Sequence, residues 1–359
     1  MFGFSLAIAL ALAPQTVQTT VVAIPPAPER IMQVPADLDA QFRAAVLVGK
    51  PSRRQRLQRI ASFILEPKGL GMTYAGDANY TIEQAYRTRK ANCLSFTLLF
   101  LALAREAGLD AYPQEIGDTF SWYMQDGTVY RTTHLNAGVR LEGDHYTMDV
   151  ARRWVAVEDP PLRISDSRLI AHYYNNQAAM FFENGQLDAS TRYMDAAIAL
   201  EPGFPSAWNN AGVLNLKRGD RAGAEQAYAR ALSIEPDNID ALYNMTQLLV
   251  VEGRPQRAAV YRQQLEHVQM KDPLYHYMRA LEYENAGNYA GAIDHYRRAI
   301  RLKRGEYRFH AALAGAYQLA GEPGRAEKER SRARVLGRRT GVTGDTPGPA
   351  SLQQDATVQ

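Results

Sequence analysis

The stretch Trp208–Gly219, WNNAGVLNLKRG, is one copy of a pattern that returns along the second half of this chain. Its final glycine belongs to a series in which each member follows the previous one by 34 residues: Gly185, Gly219, Gly253, Gly287 and Gly321. Other residues recur in the same register, small ones at Ala178, Gly212 and Ala280, and large ones at Tyr174, Trp208 and Leu242. An ordinary helical bundle does not explain five evenly spaced glycines, so the pattern predicts a stack of two-helix units.

This pattern resembles the tetratricopeptide repeat, whose two antiparallel helices stack into a solenoid. Five units fit, and we predict an all-α domain over residues 166–338. The resemblance implies a concave face that takes a protein or peptide partner. Polar residues predicted to line that face from the first helices are Asn175, Asn209, Asn210, Tyr243, Asn244 and Arg279.

The composition limits the class of protein. A chain of 359 residues is expected to hold two domains. Its net charge of +3 is too small to indicate a nucleic-acid partner. The single cysteine excludes an intrachain disulfide and argues against a cysteine-rich metal site. We therefore predict neither a metal nor an organic cofactor.

The chain begins with an apolar run, Met1–Ala13, which has the length of a signal-peptide core and is too short to span a bilayer. The run favours a periplasmic or secreted protein, although Pro14 follows it and no basic residue precedes it. The alternative is an unstructured leader on a cytoplasmic protein. Residues 14–36 are rich in proline and predict a linker, so residues 1–36 stand outside the predicted domains. Residues 339–359 are predicted to be a disordered tail.

Residues 93–107 are a second strong helical signal. Asn92 is a good N-cap, and Gly108 readily ends a helix because glycine adopts the left-handed conformation cheaply. The residues between them are apolar nearly all round, which predicts a helix buried in a core. Cys93 then lies in the first turn, where backbone N–H groups and the helix dipole stabilise a thiolate.

After this helix the sequence pattern changes to an alternation with a period of two residues, which is typical of β-strands. Asp110–Ile116 is predicted to be a strand, and Thr128–Leu141 and His145–Val150 alternate as paired strands do. The predicted turn is Glu142-Gly143. Helices followed by an antiparallel sheet make an α+β domain, which we place at residues 37–165.

The hairpin brings His134 and Asp149 to one face of the sheet. A two-residue loop at 142–143 makes them diagonal neighbours, and a loop at 141–142 makes them directly opposite. His145 shares this face and is a competing base, but it lies nearer the turn. A histidine oriented by a carboxylate is the base that a thiol nucleophile needs.

The segments Ala91–Thr97 and Ala102–Ala111, with His134 and Asp149 downstream, resemble the transglutaminase-like, papain-related superfamily. The resemblance implies that Cys93 is the nucleophile, His134 the general base and Asp149 the orienting acid. It further implies acyl transfer on a peptide or protein amide, as a peptidase, amidase or transglutaminase.

The sequence also departs from that family. Ala91-Asn92 stands where the family has a glycine before the cysteine, and Asn136 where it often has an aromatic. These departures leave two alternatives open: a non-catalytic adaptor with a degenerate first domain, and a helical scaffold whose first domain binds nothing.

Overall fold

The computed structural model describes most of the chain between Ala23 and Arg339. The described ranges are residues 23–116, 122–125, 128–131, 134–148 and 161–339. The apolar run Met1–Ala13, Asp149 and the tail after Arg339 lie outside them, so the corresponding predictions stay predictions.

The N-terminal region is mainly helical. Its elements are α1 (Pro28–Ile31), α2 (Ala36–Phe42), a π-helical turn (Arg43–Leu47), α3 (Arg53–Leu65), β1 (Thr73–Tyr74), α4 (Ile82–Thr88), β2 (Lys90–Ala91) and α5 (Cys93–Glu106). Helices α3 and α4 begin with capping boxes, because the hydroxyls of Ser52 and Thr81 accept from the backbone N–H three residues on. Arg89 takes the left-handed conformation and ends α4 at Thr88.

A four-stranded antiparallel sheet follows. The strands described in this region, six in all, are β3 (Asp110–Ile116), β4 (Trp122–Gln125), β5 (Thr128–Arg131), β6 (His134–Leu141), β7 (Asp144–Met148) and β8 (Leu162–Arg163). The sheet has the order β7-β6-β3-β8, while β4 and β5 form a separate hairpin. The prediction of one continuous strand over Thr128–Leu141 is therefore wrong, since its two halves belong to different sheets.

The β6–β7 hairpin has the first of the two predicted registers. Leu141 pairs with Asp144, and Glu142 and Gly143 form the two-residue turn. Both turn residues have positive φ angles, 55° and 93°. That geometry twists the turn in the same sense as the strands it joins.

Helix α5 is the centre of the α+β core. Ten of its 14 residues are buried, and it packs on β6, β3, α4 and α3. The same core continues into the next helix of the chain through Leu169 and Tyr173. The α+β region and the first repeat consequently share one core.

Ten helices in five pairs make up the described residues from 166 to 339. They are α6 (Asp166–Glu183) and α7 (Leu187–Leu200), α8 (Pro205–Lys217) and α9 (Arg221–Ile234), α10 (Ile239–Val251) and α11 (Pro255–Gln269), α12 (Pro273–Asn285) and α13 (Tyr289–Leu302), and α14 (Tyr307–Leu319) and α15 (Pro323–Arg339). The five periodic glycines follow the first helices and have φ angles between 67° and 85°. They end those helices in the left-handed conformation, which explains their spacing. At Gly212 a Cβ would clash with the ring of Tyr228 on the paired helix, which explains a small residue there.

The proline-rich segment before Asp37 differs from its prediction. From Ala23 onward it is packed against the protein and is no linker, because Ile31 is fully buried in the core. Backbone carbonyls of residues 23–26 also accept hydrogen bonds from the first repeat. Sequence composition alone did not reveal these contacts.

Candidate functional site

The first turn of α5 is held firmly in place. The side chain of Asn92 accepts from the backbone N–H of Ser95 at 2.9 Å, as its cap position predicts. The hydroxyl of Ser95 lies 2.8 Å from the carbonyl oxygen of Ala78, and it accepts from the N–H of Tyr80 at 2.7 Å. Cys93 is the first residue of this turn, is not disulfide-bonded and is half-buried. Its thiol therefore stands at a rigid, partly accessible helix end.

The predicted partners of Cys93 are only partly described. His134 is the first residue of β6, where its backbone pairs with Ile116, and Asp149 lies outside the described residues. Leu135 and Ala137 of β6 belong to the core that contains α5. Asn136, which has the same strand parity as His134, alternates with them and occupies the opposite face of the sheet.

That opposite face is polar. Asn136 is fully buried beside Gln114, and its side-chain amide has no hydrogen-bond partner in the described part of the chain. His145, the competing base, has its Nδ1 2.9 Å from the hydroxyl of Tyr112. Its backbone pairs with Arg140, one pair away from the turn. The described residues thus show a polar sheet face, with His145 held by a tyrosine of the same sheet.

Sequence reasoning missed a buried ionic joint between the α+β region and the first repeat. His172 Nε2 and Arg168 Nε, both on α6, lie 2.6 and 2.8 Å from Glu115 Oε1 on β3. Burial lowers the pKa of His172, while the hydrogen bond to Glu115 acts in the opposite direction. Burial raises the pKa of Glu115, but the hydrogen bond from His172 and the charge of Arg168 outweigh it and bring that pKa to about 2.

Further polar contacts tighten this joint. Arg105 at the end of α5 binds both carboxylate oxygens of Asp166 on α6, at 2.7 and 2.8 Å. Asn79 donates to the carbonyl oxygen of Tyr173, and Gln177 donates to that of Asn79. The polar residues that hold the two regions together are far apart in sequence, and no local pattern marks them.

The asparagines predicted to bind a partner form contacts between repeats. Asn210 donates to the side-chain oxygen of Asn175 at 2.9 Å, and Asn244 donates to that of Asn209 at 2.9 Å. Each bond joins the first helix of one repeat to the first helix of the repeat before it. Asn175 and Asn209 are buried, and their side-chain oxygens already accept hydrogen bonds from the following repeat. These amides therefore stabilise the stack of repeats.

The two remaining predicted partner residues differ from each other. Tyr243 on α10 is 51% exposed. Arg279 on α12 forms an ion pair with Glu282 and lies over the ring of Tyr283, 5.3 Å from its centroid. Tyr243 is therefore open to a ligand, whereas Arg279 already has partners on its own helix.

Exposed apolar side chains accompany Tyr243 on the first helices. Leu216 on α8 and Val250 on α10 are 41% and 45% exposed and stand at equivalent positions of successive repeats. Val250 follows Tyr243 by two helical turns, so both lie on one side of α10. We call Leu216, Tyr243 and Val250 the apolar row.

The described residues hold no candidate for a metal site or a membrane span. Among them no group of three or more His, Cys, Asp or Glu side chains is arranged to hold a metal ion. Within the same residues no helix combines the length and apolarity that crossing a bilayer requires.

Comparison with known proteins concerns the repeats. Tetratricopeptide-repeat family models match residues 176–239, 215–281 and 273–305. No curated protein matches the chain.

Similar solved structures include a MamA protein, with 17% identity, 50% of this chain and 98% of that chain covered, and a TM-score of 0.28. A second is MamA 41-end from Desulfovibrio magneticus RS-1, with 18% identity, 47% and 95% covered, and a TM-score of 0.27. A third is YrrB, described as a TPR protein with an unusual peptide-binding site, with 19% identity, 46% and 86% covered, and a TM-score of 0.27.

The family matches and the described helix pairs agree with the 34-residue pattern. The transglutaminase-like resemblance of the first region finds no support in these comparisons. Residues 176–305 are a run of tetratricopeptide repeats.

Proposed function

We propose that this protein is a non-catalytic adaptor that binds a protein or peptide segment through the apolar row. The observation that carries the proposal is the exposure of large apolar side chains at matching positions of consecutive first helices. Contiguous apolar surface on a folded protein is typical of an interaction site. Tetratricopeptide repeats provide the scaffold for such a surface.

The surroundings of the apolar row favour a preorganised site. The asparagine bonds between α6, α8 and α10 fix the spacing of the helices that carry it. A site whose spacing is already set loses less entropy when a ligand binds. The chemistry of the row favours a segment that presents apolar side chains, as an extended peptide or an amphipathic helix does.

The chain offers a matched pair of valines for the test. Val250 lies in the apolar row on a first helix, and Val260, 64% exposed, lies on the second helix of the same repeat. The partner is first identified by incorporating a photo-crosslinking phenylalanine analogue at Tyr243 in the native host. We expect Val250→Asp to weaken binding of that partner by about tenfold or more, because a charge is buried in an apolar contact.

Val260→Asp is the control and should leave the affinity unchanged. The proposal is wrong if both variants lose affinity equally or if Val250→Asp binds as tightly as the wild type. Binding is measured by calorimetry on the purified full chain. Equal melting temperatures for the two variants exclude a folding defect.

A second candidate is acyl transfer at Cys93, supported by the half-buried thiol in the capped first turn of α5. In this mechanism His134 takes the thiol proton and later gives it to the leaving amine. The Cys93 thiolate attacks a carboxamide or peptide carbonyl, Asp149 orients the imidazole, and water or an amine resolves the thioester.

Alkylation of Cys93 by iodoacetamide tests it directly, since the chain has a single cysteine. A nucleophile activated by a base should alkylate faster than free cysteine at neutral pH, and His134→Ala should remove the advantage. A rate equal to that of free cysteine, unchanged in His134→Ala, excludes this candidate. The adaptor proposal is unaffected by either result.

A further inference from the structure

The first repeat already holds a peptide, which is a segment of the same chain. Arg192 Nε donates to the carbonyl oxygen of Ala23 at 3.0 Å, and the hydroxyl of Tyr193 donates to that of Ile24 at 3.3 Å. The hydroxyl of Tyr174 donates to the carbonyl oxygen of Pro26 at 2.5 Å. Three carbonyls among residues 23–26 are thus recognised by side chains of α6 and α7. We call residues 23–27, Ala-Ile-Pro-Pro-Ala, the strap.

The strap has the chemistry of a polyproline II ligand. Ala27 has φ −60° and ψ 150°, which lies in that conformation. Pro25 and Pro26 have no N–H to donate, and the first repeat offers donors to the strap's carbonyls. The prolines are half-buried while Ile24 is 71% exposed, so the protein contacts the backbone and the proline rings more than the aliphatic side chain.

The surface beneath the strap is aromatic, as in other sites that take proline-rich segments. The rings of Tyr174 and Tyr193 have centroids 6.2 Å apart, and Phe181 adds a third ring 5.1 Å from Tyr193. With the strap in place Tyr174 and Tyr193 are almost fully buried. Burial raises the pKa of Tyr174 to about 12, which keeps its hydroxyl a donor at all ordinary pH values.

The combination of Tyr174, Arg192 and Tyr193 occurs in the first repeat and not in the others. The equivalent residues of the second repeat are Trp208, Gln226 and Ala227. There the preceding helix α7 packs on α8, and its Met194 lines a groove with Trp208 and Ala227. Among the described residues no repeat precedes the first one, and the strap packs on α6 and α7 instead.

We infer that Tyr174, Arg192 and Tyr193 form a binding site for a proline-rich segment, which the strap fills in cis and a proline-rich segment of a partner protein fills in its place. This site is separate from the apolar row and does not depend on it. The strap can leave without unfolding the core, because the chain after it is anchored independently. Ile31 is buried in the core, and Arg30 pairs with Glu83 at 2.8 Å.

The tether makes the strap a strong competitor. A segment joined by a short linker acts at an effective concentration on the order of millimolar. The intact chain should therefore bind an added proline-rich peptide weakly, and loosening the strap should raise the affinity. A purely structural strap would show no such exchange.

The test uses the full chain and a fluorescent peptide with the sequence of residues 21–29, VVAIPPAPE. Replacing both Pro25 and Pro26 with glycine loosens the strap and leaves the site intact. We expect this variant to bind the peptide about tenfold or more tightly than the wild type does, by fluorescence anisotropy. Adding Tyr174→Phe and Tyr193→Phe should remove that binding, because the peptide's carbonyls then lose two hydroxyl donors. The rings remain in this variant, so the loss is assigned to the hydroxyls.

A peptide with glycines in place of the two prolines is the control ligand and should not bind. If the loosened variant keeps the wild-type melting temperature but binds neither peptide, the strap is a structural cap only and the inference is wrong. Equal binding of both peptides also overturns it, because the site would then not recognise polyproline II structure.

A second measurement covers the case in which loosening the strap impairs folding. A fluorophore is attached at Ile24→Cys in a Cys93→Ser background, where the strap itself is otherwise unaltered. Saturating VVAIPPAPE should displace the strap and lower the anisotropy of the attached dye, and the control peptide with glycines in place of the two prolines should leave it unchanged. Unchanged anisotropy at saturation refutes the exchange.

Discussion

Helices α5 and α13 have the same length but differ in how many of their residues are buried and in which elements surround them. Both contain 14 residues, but α5 buries ten of them and α13 buries four. The neighbours of α5 include strands and helices distant in sequence, whereas α13 packs mainly on α12 and α14, which adjoin it in the chain. The two helices show that burial in the first region depends on long-range contacts and burial in the repeats on local ones.

Hydrogen bonds between polar side chains show the same difference between the two regions. In the repeats the side chains meet at regular positions, as in the bond between Asn210 and Asn175. At the α+β region they meet across long separations, as Glu115 and His172 do.

Removing a side chain from the interior of α5 should have the largest effect. Leu99 is fully buried, so Leu99→Ala should lower the free energy of unfolding by about 2–5 kcal/mol through lost burial and a residual cavity. Leu302→Ala, at the exposed end of α13, should change it by less than about 0.5 kcal/mol. Urea denaturation of both variants measures the difference, and equal losses would contradict the contrast between the helices.

Breaking the ionic joint should come next. Glu115→Gln leaves the buried end of Arg168 without its carboxylate and should cost about 2 kcal/mol. Because the pKa of Glu115 is lowered to about 2, its stabilisation is present above the unfolded pKa of about 4.3 and is lost as pH falls toward 2. Thermal melts between pH 5 and 2 should therefore fall less steeply for the variant than for the wild type.

The control for this joint is Glu282→Gln, which removes an exposed carboxylate paired with Arg279. Exposed ion pairs contribute little, so this change should leave the melting temperature nearly unaltered. If both variants lose the same stability, the joint is no stronger than a surface pair.

The asparagine bonds between repeats should show a smaller effect. Asn210→Ala leaves the buried side-chain oxygen of Asn175 unpaired and should cost about 1 kcal/mol. Asn285→Ala, at an exposed position of α12, is the matched control and should cost little. Chemical denaturation distinguishes the two, and an unaffected Asn210→Ala would show that the amides are free to bind a ligand.

A histidine pair in the fourth repeat should produce the smallest effect, visible as pH dependence. His276 Nδ1 lies 3.2 Å from His295 Nδ1, and in the fifth repeat the equivalent residues His310 and Glu329 are 2.7 Å apart. Burial lowers the pKa of both His276 and His295, so protonation opposes folding as pH falls below about 6.5. His295→Glu should copy the fifth repeat and reduce the loss of stability between pH 7.5 and 5.5.

Melting temperatures at the two pH values measure this effect, with the exposed His267→Gln as control. If the melting temperatures of the wild type and His295→Glu change equally with pH, protonation of the histidine pair does not affect stability. The charged groups around the pair, Arg298, Arg301, Asp294 and Arg279, remain in place in both proteins.

Local chemistry explains the features of the fold that were predictable. The glycines at 34-residue spacing end helices because left-handed residues are needed there, and Asn92 caps α5 as its side chain allows. Glu142-Gly143 forms the predicted two-residue turn and so sets the β6–β7 register. Each of these features depends on residues within one turn or one hairpin of each other.

The candidate sites were less predictable because they depend on residues far apart in sequence. Asn175 and Asn209 were expected to face a ligand, but in the stacked repeats their side-chain oxygens accept hydrogen bonds from Asn210 and Asn244. Nothing near Glu115 in the sequence indicates His172, and nothing near Ala23 indicates Arg192. The assembly of Cys93, His134 and Asp149 stays a prediction, since Asp149 lies outside the described residues.

The sequence by itself determined the repeat architecture, the capped helix that carries Cys93 and the hairpin register, because turns, caps and periodic small residues act over short distances. Only the tertiary structure decided that the proline-rich segment is a strap on the first repeat and that the two regions share one core. Those contacts join residues roughly 60 to 170 positions apart, and their partners are selected by packing, which no local pattern encodes.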